Sequence, residues 1–343
     1  HRTAPGWTYG LPELHGTRKA LKTATRVAVP GCHATGFIAP VAPLVELGLV
    51  PKTALLHCTS LTGYSGGGKK MIAQYETERT DPALNAPRPY GLALHHKHLP
   101  EMAAITGLTT PPTFVPVVAD YYAGMETMIP LDLPALGLTA QQVADALADY
   151  YAGQKMISVH PLNEGTDGGF LAANKLAGLD RLEIFCLANP DGTQMELISL
   201  FDNLGKGSSG AAVQCMNLML GLPETGIADA DTWTAVEALS LQLAAEMPNP
   251  DRSIGHGPVY PGRAIGAGSV GPDVAQVETW LNRRSCLYCT EGYVTENRRF
   301  GPEETAAVRL AQQRAGLLVT GTVDRGTWAA LQAQSCPHCS KEE

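Results

Sequence analysis

The sequence has no long apolar run, few aromatic residues and no surplus of positive charge. Aromatic residues make up 6% of its 343 residues, and no segment reaches the roughly 20 consecutive apolar residues that a membrane-spanning helix needs. Lys and Arg number 25 against 33 Asp and Glu, for a net charge of −8. We therefore expect no membrane span and no nucleic-acid partner, because binding a phosphate backbone requires clustered positive charge.

A leader segment and a dinucleotide fingerprint are also missing. The chain opens at His1 without a charged and then apolar stretch, which predicts a processed or trimmed product. No G-x-G-x-x-G pattern stands on a strand-to-helix junction, so no Rossmann-type cofactor domain is predicted. With 44% hydrophobic residues, the chain is nevertheless long enough for two or three domains.

The eight cysteines fall into two groups. Single cysteines at 32, 58, 186 and 215 favour a reducing compartment. The other four form two C-x-x-C pairs, Cys286 with Cys289 and Cys336 with Cys339. Such pairs form a tetrahedral zinc site if the helix ends carrying them meet, or disulfides if the chain is exported. Both interpretations stay open.

Strand-like and helix-like patterns alternate up to about residue 200, which predicts an α+β fold with a mixed sheet. A capping box at Thr139 and Gln142 predicts a helix over 140–151. Another helix should follow Gly207, capped by Ser208 or Ser209, with Val213, Met216 and Leu220 along one face. The predicted strands are 26–29, 113–118, 156–159, 182–188 and 195–201.

The tail has a different organisation. Residues 247–272 are rich in Pro and Gly, and three short helical patterns follow. The stretch 225–233 is also echoed at 320–328, which suggests a repeat. We predict a catalytic domain over 1–224, a partial helical repeat and linker over 225–262, and a three-helix domain over 263–343.

Cys32 is the candidate nucleophile. It lies in Val29-Pro-Gly-Cys-His-Ala-Thr-Gly36, after a predicted strand and at the start of a predicted helix. The positive end of a helix and its free N–H groups lower the pKa of a thiol placed there and favour the thiolate. The same amides are suited to hold an oxyanion formed by attack on a carbonyl. The alternative is a buried structural cysteine.

A histidine-rich stretch, His95-His-Lys-His-Leu-Pro-Glu101, is the candidate acid–base group. An imidazole that titrates near neutrality and is oriented by a carboxylate suits proton transfer. A metal site formed by His96 and His98, or a plain surface loop, are the alternatives.

Two glycine-rich turns are candidate anion sites. In Thr62-Gly-Tyr-Ser-Gly-Gly-Gly-Lys-Lys70, consecutive glycines let backbone amides approach an anion, and the spacing is not that of a Walker A loop. The second turn, Asn203-Leu-Gly-Lys-Gly207, leads into a predicted helix and suits phosphate contacts. A flexible linker is the alternative for the first turn.

Taken together, these motifs resemble the N-acetyl-gamma-glutamyl-phosphate reductase family over about residues 1–224. The resemblance is carried by Tyr9-Gly-Leu-Pro-Glu13, Pro30-Gly-Cys-His33, Ser65-Gly-Gly-Gly-Lys69, His96-Lys-His-Leu-Pro-Glu101 and Asn203-Leu-Gly-Lys-Gly207. It implies the catalytic half of an enzyme that reduces N-acetylglutamyl 5-phosphate with NADP(H) through a cysteine thioester. That family carries a Rossmann half, which we do not find in this sequence.

The resemblance also implies residue roles. Cys32 would form the thioester, with His96 and His98 in proton transfer and substrate contact and Glu101 as their orienting residue. The implied substrate-binding residues are His33, Ser65, Gly66 and Lys69. The implied cofactor-binding residues, on the nicotinamide side, are Asn203, Lys206 and Gly207.

The tail resembles a peptidoglycan-binding domain over about 260–332, through Gly268-Ser-Val-Gly-Pro-Asp273, Phe300-Gly-Pro-Glu303 and Gly321-Thr-Val-Asp-Arg-Gly-Thr-Trp328. Such modules are often adaptors, which implies peptidoglycan or a partner protein as ligand. Trp280 and Trp328 are predicted to be core residues rather than sugar-stacking platforms.

Two functions follow as hypotheses. The first is an acyl-phosphate reductase of arginine biosynthesis, or its catalytic fragment, in the cytoplasm. The second is a non-enzymatic cell-wall-binding or self-assembling protein that reuses a reductase-derived domain. An artificial composite, joined near 222–227, is a third interpretation. We also expect a homo-oligomer or a separate cofactor-binding partner, because the helix after Gly207 would otherwise expose apolar surface.

Overall fold

The computed structural model describes residues 2–246, 260–288 and 294–334. The chain divides into two compact units, His1–Gln242 and Leu243–Glu343, and each has its own apolar core. The predicted linker at 247–272 therefore lies partly outside the described residues. None of the described helices combines the length and apolar character needed to cross a bilayer.

A seven-stranded mixed sheet forms the centre of the first unit, which confirms the predicted α+β class. Its strand order is β4-β5-β3-β6-β9-β8-β7, where β3 with β5 and β7 with β8 pair in parallel and the other neighbours are antiparallel. A separate parallel pair joins β1 and β2. The strands are β1 Thr8–Tyr9, β2 Val27–Ala28, β3 His57–Gly63, β4 Arg88–Pro89, β5 Thr113–Ala119, β6 Met125–Asp132, β7 Ile157–Val159, β8 Leu182–Ala188 and β9 Gln194–Phe201.

All five predicted strands are present, but the sequence patterns missed β3 and β6, which lie at the middle of the sheet. In β3 the inward positions are Cys58, Ser60 and Thr62, all buried. Polar side chains at buried positions remove the apolar alternation by which such strands are found. These inward hydroxyls are used in the site described below.

Helices cover the sheet, and one of them carries Cys32. That helix, α2, runs from Cys32 to Glu46 and is buried over nearly its whole length. It approaches the sheet closely at Gly36, where an added Cβ would lie 2.3 Å from Thr127 Oγ1. The helices of the first unit are α1 Thr17–Leu21, α2 Cys32–Glu46, α3 Gly68–Ala73, α4 Leu99–Thr106, α5 Leu133–Leu136, α6 Ala140–Tyr150, α7 Gly210–Met219 and α8 Ala230–Glu246.

The two predicted helix starts have different outcomes. The capping box of Thr139 and Gln142 is present at the start of α6. The helix predicted after Gly207 is present as α7, and Ser209 stands at its N-cap position. Ser209 makes no side-chain capping bond, because its Oγ donates to the Leu204 carbonyl within a π-helical turn over Gly205–Ser209.

The predicted stripe on α7 is also not its buried face. Ala211, Cys215 and Leu218 are buried there, with the last two packed against Leu21. Val213, Met216 and Leu220, the predicted stripe, are half-buried.

The repeated sequence at 225–233 and 320–328 has a repeated hydrogen-bond pattern. Asn217 Nδ2 donates to Thr225 Oγ1 and the Ile227 carbonyl, and its Oδ1 accepts from Thr232. In the second unit, Gln312 Nε2 donates to the corresponding atoms, Thr320 Oγ1, the Thr322 carbonyl and Thr327 Oγ1. In both copies an aspartate oxygen, of Asp229 or Asp324, accepts from the threonine N–H at the start of the following helix.

Within its described residues, the second unit contains three complete helices, as predicted. The rings of Trp280 and Trp328 are 4.8 Å apart, and each side chain is 3% exposed. Both tryptophans are therefore core residues. The helices are α9 Pro272–Tyr288, α10 Pro302–Arg314 and α11 Arg325–Gln334.

The zinc or disulfide prediction is not tested. Cys289, Cys336 and Cys339 lie outside the described residues, and the side chain of Cys286, near the end of α9, is not described. Within the part of the chain that the structure describes, no group of three His, Cys, Asp or Glu residues has the arrangement of a metal site.

Candidate active site

One cavity of about 390 Å³ gathers most of the sequence-predicted site residues. It opens where the start of α2, the loop before α4, the turn before α3 and the turn before α7 meet. Its lining contains no Asp or Glu. The lining residues used below are Arg2, Gly31, Cys32, His33, Ser65, Gly66, Tyr90, His96, Lys97, His98, Asn203 and Gly207.

Cys32 is the first residue of α2 and the only half-buried cysteine among those at 32, 58, 186 and 215, the other three being buried. Burial raises the pKa of its thiol above the ordinary value, and the His33 backbone amide and the Lys97 ammonium only partly oppose this rise. The expected lowering of the pKa by the helix start is therefore wrong for the free protein. Cys32 carries a thiol, not a thiolate, at neutral pH.

The resemblance implied that Glu101 orients His96 and His98, but in the structure its carboxylate contacts other residues. One of its oxygens accepts the Gly31 N–H at 2.9 Å and the Tyr9 hydroxyl at 2.9 Å. The other accepts from Arg2 at 3.3 Å. Because Gly31 is the residue before Cys32, this buried carboxylate fixes the turn that presents the thiol.

Two glycines allow close packing around the same turn. A Cβ at Gly31 would lie 2.2 Å from His98 Nε2, and a Cβ at Gly207 would lie 2.9 Å from Cys32 Cβ. Neither position has room for a side chain. His98 Nε2 therefore lies directly against the backbone next to Cys32.

His96 and His98 are together at the cavity, with ring centres 4.9 Å apart. Burial first, and then the neighbouring His96, Arg2 and Lys97, lower the pKa of His98 to about 3. Burial and Lys97 also lower the pKa of His96. Both rings are neutral at pH 7, and the Nδ1 atom of His98 has no hydrogen-bond partner among the described residues.

His33 touches the cavity, but both its ring nitrogens are occupied inside the protein. Nδ1 is 2.8 Å from Ser60 Oγ and Nε2 is 2.7 Å from the Tyr90 hydroxyl. A direct polar contact of His33 with substrate is therefore not supported. Sequence reasoning missed Ser60 and Tyr90, although Tyr90 stands in the loop leading to His96.

The first glycine-rich turn contributes Ser65 and Gly66 to the cavity. Ser65 is buried, and its Oγ accepts from Asn203 Nδ2 at 2.9 Å. Lys69 is exposed and is not among the residues that line the cavity. Only two of the three predicted ligand residues of this turn are therefore at the site.

The residues implied for cofactor binding already make hydrogen bonds to other groups of the protein. Besides holding Ser65, Asn203 accepts the Gly124 N–H at 2.8 Å. Lys206 is fully buried, and its Nζ donates to Glu13 at 2.7 Å and to Gln214 at 2.5 Å. Lys206 therefore cannot face a nicotinamide, and the Gly207 N–H is also used inside the protein, because it donates to the Asp202 carbonyl at 2.9 Å.

Two cations complete the site. Arg2 and Lys97 line the cavity, and Lys97 is exposed. Because Arg2 is paired with Glu101 at 3.3 Å, the uncompensated positive charge at the cavity is that of Lys97, and it favours an anionic ligand. The sequence motifs contained Lys97 but not Arg2, which tertiary structure brings beside Glu101.

Each unit matches a known protein family. Residues 32–203 match the family model described as semialdehyde dehydrogenase, dimerisation domain, which defines the class of the first unit. Residues 270–331 match a peptidoglycan binding domain.

Individual relatives specify the family further. The chain is 40% identical to N-acetyl-gamma-glutamyl-phosphate reductase 2 of Nostoc sp. (strain PCC 7120) over 234 residues, which cover 65% of this chain and 73% of the relative. It is 42% identical to the N-acetyl-gamma-glutamyl-phosphate reductase of Sinorhizobium medicae (strain WSM419) over 224 residues, covering 64% and 72%. The chain belongs to the N-acetyl-gamma-glutamyl-phosphate reductase family, as the sequence motifs indicated.

We predict that Lys206 stabilises the fold through its buried ion pair. Lys206→Met leaves the Glu13 carboxylate buried without its cation, which should lower the free energy of unfolding by about 3–5 kcal/mol. Urea unfolding of the full chain measures this loss. The matched control is Lys69→Met at an exposed lysine, for which we expect a change within about 0.5 kcal/mol. Equal stability of the two variants would contradict the prediction.

We predict that His98 makes the first unit sensitive to acid. The pKa of His98 is lowered from 6.5 to about 3 in the folded protein, so between these values the unfolded chain binds a proton that the folded chain does not. Stability therefore falls as pH falls below about 6.5, by roughly 1.4 kcal/mol per pH unit from this residue.

Urea unfolding at a series of pH values from 7 to 4 checks this prediction. His98→Gln should reduce the pH slope of the unfolding free energy, whereas His95→Gln, at an exposed position of the same loop, should leave it unchanged. The prediction is wrong if His98→Gln and the wild type have the same slope.

Proposed function

We propose that the first unit accepts the acyl group of N-acetylglutamyl 5-phosphate on Cys32, the first chemical step of an NADP(H)-dependent reduction to the semialdehyde. The observation that carries the proposal is the cavity itself. It brings one accessible thiol together with neutral histidines and two cations, and it excludes carboxylates. Family membership supports the same substrate.

In the proposed step, Cys32 Sγ attacks the acyl carbon, and the thiol proton passes to His98 Nε2, which lies against the adjacent Gly31. The carbonyl electron pair moves onto oxygen and returns as the bond to phosphate breaks. A thioester and free phosphate result. This divides a difficult reduction into phosphate expulsion and later hydride delivery.

The raised pKa of the Cys32 thiol fits a nucleophile that is activated only when the acyl phosphate binds. The phosphate of a bound acyl phosphate brings negative charge beside the imidazoles of His96 and His98. Negative charge raises the pKa of an imidazole. Proton transfer from thiol to His98 is therefore favoured in the complex and not in the free protein.

His96 has a different proposed role. Its Nδ1 accepts the His98 backbone N–H at 3.3 Å, so a neutral His96 ring carries its proton on Nε2. It is thereby a hydrogen-bond donor toward an anionic ligand. Arg2 and Lys97 offset the phosphate charge as it leaves.

The three residues implied for the cofactor do not form a dinucleotide site. The Asn203 amide and the Lys206 ammonium already have protein partners, and Gly207 offers only close packing against Cys32. When bound, NADP(H) would supply the hydride that reduces the thioester. We therefore propose residue roles for acyl transfer only, and none for hydride transfer.

The proposal predicts acylation of Cys32 in the absence of NADPH. Incubation of the full chain with N-acetylglutamyl 5-phosphate should add one N-acetylglutamyl group, which mass spectrometry of the peptide containing Cys32 detects. Cys32→Ser is the negative control, because its hydroxyl is a far weaker nucleophile than a thiolate. Folded wild-type protein that remains unmodified would disprove the proposed chemistry.

A second proposed function rests on the second unit. Its match to a peptidoglycan binding domain supports attachment of the chain to cell-wall polymer, with the first unit as a carried domain or a self-associating one. The family name of the first unit, a dimerisation domain, supports self-association. Under this proposal the protein acts at the cell wall rather than in the cytoplasm.

Cosedimentation tests the second function. We expect the full chain to sediment with purified insoluble peptidoglycan and to stay in solution with cellulose, an unrelated insoluble polysaccharide. Equal sedimentation with both polymers, or with neither, would remove the support for wall attachment.

A further inference from the structure

A row of four hydrogen-bonded side chains runs from the centre of the sheet to the cavity. Thr127 Oγ1 is 3.1 Å from Ser60 Oγ, which is 2.8 Å from His33 Nδ1. His33 Nε2 is then 2.7 Å from the Tyr90 hydroxyl. Thr127 and Ser60 are fully buried, whereas Tyr90 lines the cavity beside Cys32.

The buried end of this row determines which group donates in each of its hydrogen bonds. Among the described residues, the Thr127 hydroxyl meets no acceptor other than Ser60 Oγ. If Ser60 donated to Thr127, the Thr127 proton would be buried without an acceptor, which costs free energy. Thr127 therefore donates to Ser60, and Ser60 donates to His33 Nδ1.

The hydrogen bond that Ser60 donates also determines which ring nitrogen of His33 carries the proton. Burial, together with His98, His96 and Lys97, holds the pKa of His33 well below its usual range, so the ring is neutral and carries one proton. With Nδ1 accepting from Ser60, that proton is on Nε2 and is donated to the Tyr90 oxygen. The proton of the Tyr90 hydroxyl is left to point into the cavity.

Tyr90 is held at this place by the sheet edge. Its backbone N–H donates to the Pro116 carbonyl at 2.9 Å, and its ring packs with Tyr75, Leu84 and Val118. Burial raises the pKa of Tyr90 above its ordinary value. The phenol therefore keeps its proton and is available as a donor.

We propose that Tyr90 is a catalytic residue whose hydroxyl donates a hydrogen bond to the acyl oxygen when Cys32 attacks, and that His33 is the positioning residue that fixes this donor. The inference rests on the proposed acyl transfer. As the Cys32 sulfur bonds to the acyl carbon, the oxygen gains the electron pair and accepts from Tyr90. The bond to phosphate then breaks, and the carbonyl is restored.

The kinetic test compares two reactions of Cys32 in the full chain. Tyr90→Phe should slow acylation by N-acetylglutamyl 5-phosphate by about 100-fold, the usual loss for one oxyanion donor. It should change alkylation by iodoacetamide less than about 2-fold, because that displacement forms no oxyanion. Tyr64→Phe is the matched control: it packs in the same cluster, but its hydroxyl donates to Glu76, and both rates should be unchanged.

Each outcome has a separate meaning. Loss of acylation alone supports the inference. Equal slowing of both reactions, or of neither, overturns it and leaves the proposed acyl transfer intact. If wild-type Cys32 is alkylated but not acylated, the proposed function fails, and the oxyanion role of Tyr90 fails with it.

The direction of the row is tested without any reaction. Nitrogen-15 NMR of histidine-labelled protein reports which ring nitrogen carries the proton, and His33→Gln identifies the His33 signals. We expect protonated Nε2 and unprotonated Nδ1 at pH 7. Protonated Nδ1 would overturn the inference, because Tyr90 would then donate to His33.

Discussion

The hydrogen bond from the Gly31 N–H to Glu101 is the constraint on which the site depends. It joins the turn before α2 to the first turn of α4 and is completed by Tyr9 and Arg2. At this turn His98 fills the space that a side chain at position 31 would need. The thiol and the imidazole are therefore held together by backbone packing, and a buried carboxylate is satisfied by three donors rather than left to perturb them.

The electrostatic character of the cavity follows from this arrangement. Because Glu101 faces the turn and Glu13 faces Lys206, neither carboxylate reaches the cavity. Arg2 and Lys97 remain as its charged groups. Burial first, and then these cations, lower the pKa of His98, while burial and Lys97 lower that of His96. The charge of the free site therefore favours an anion, and negative charge placed there would raise the pKa of the imidazoles.

The two units share one structural detail despite their different cores. Asn217 in the first unit and Gln312 in the second each hold a turn through the same set of threonine and carbonyl atoms. In the first unit this turn follows α7, a helix that also packs on Leu21. In the second it connects α10 to α11. One local pattern therefore serves two different packing environments.

The sequence by itself determined the fold class, five strands (β2, β5, β7, β8 and β9), the capped helix α6, the core tryptophans and the family, because these depend on local periodicity, capping chemistry and contiguous motifs. It also identified Cys32, His96 and His98 as neighbours in one site.

It could not assign partners to Glu101, Lys206 or His33, and it missed β3 and β6. Each of these depends on residues distant in the chain: Glu101 bonds Gly31, Lys206 bonds Glu13, and Ser60 and Thr127 meet between β3 and β6. Burial decided the thiol pKa as well, since a helix start seen in sequence does not show how far the sulfur is removed from water.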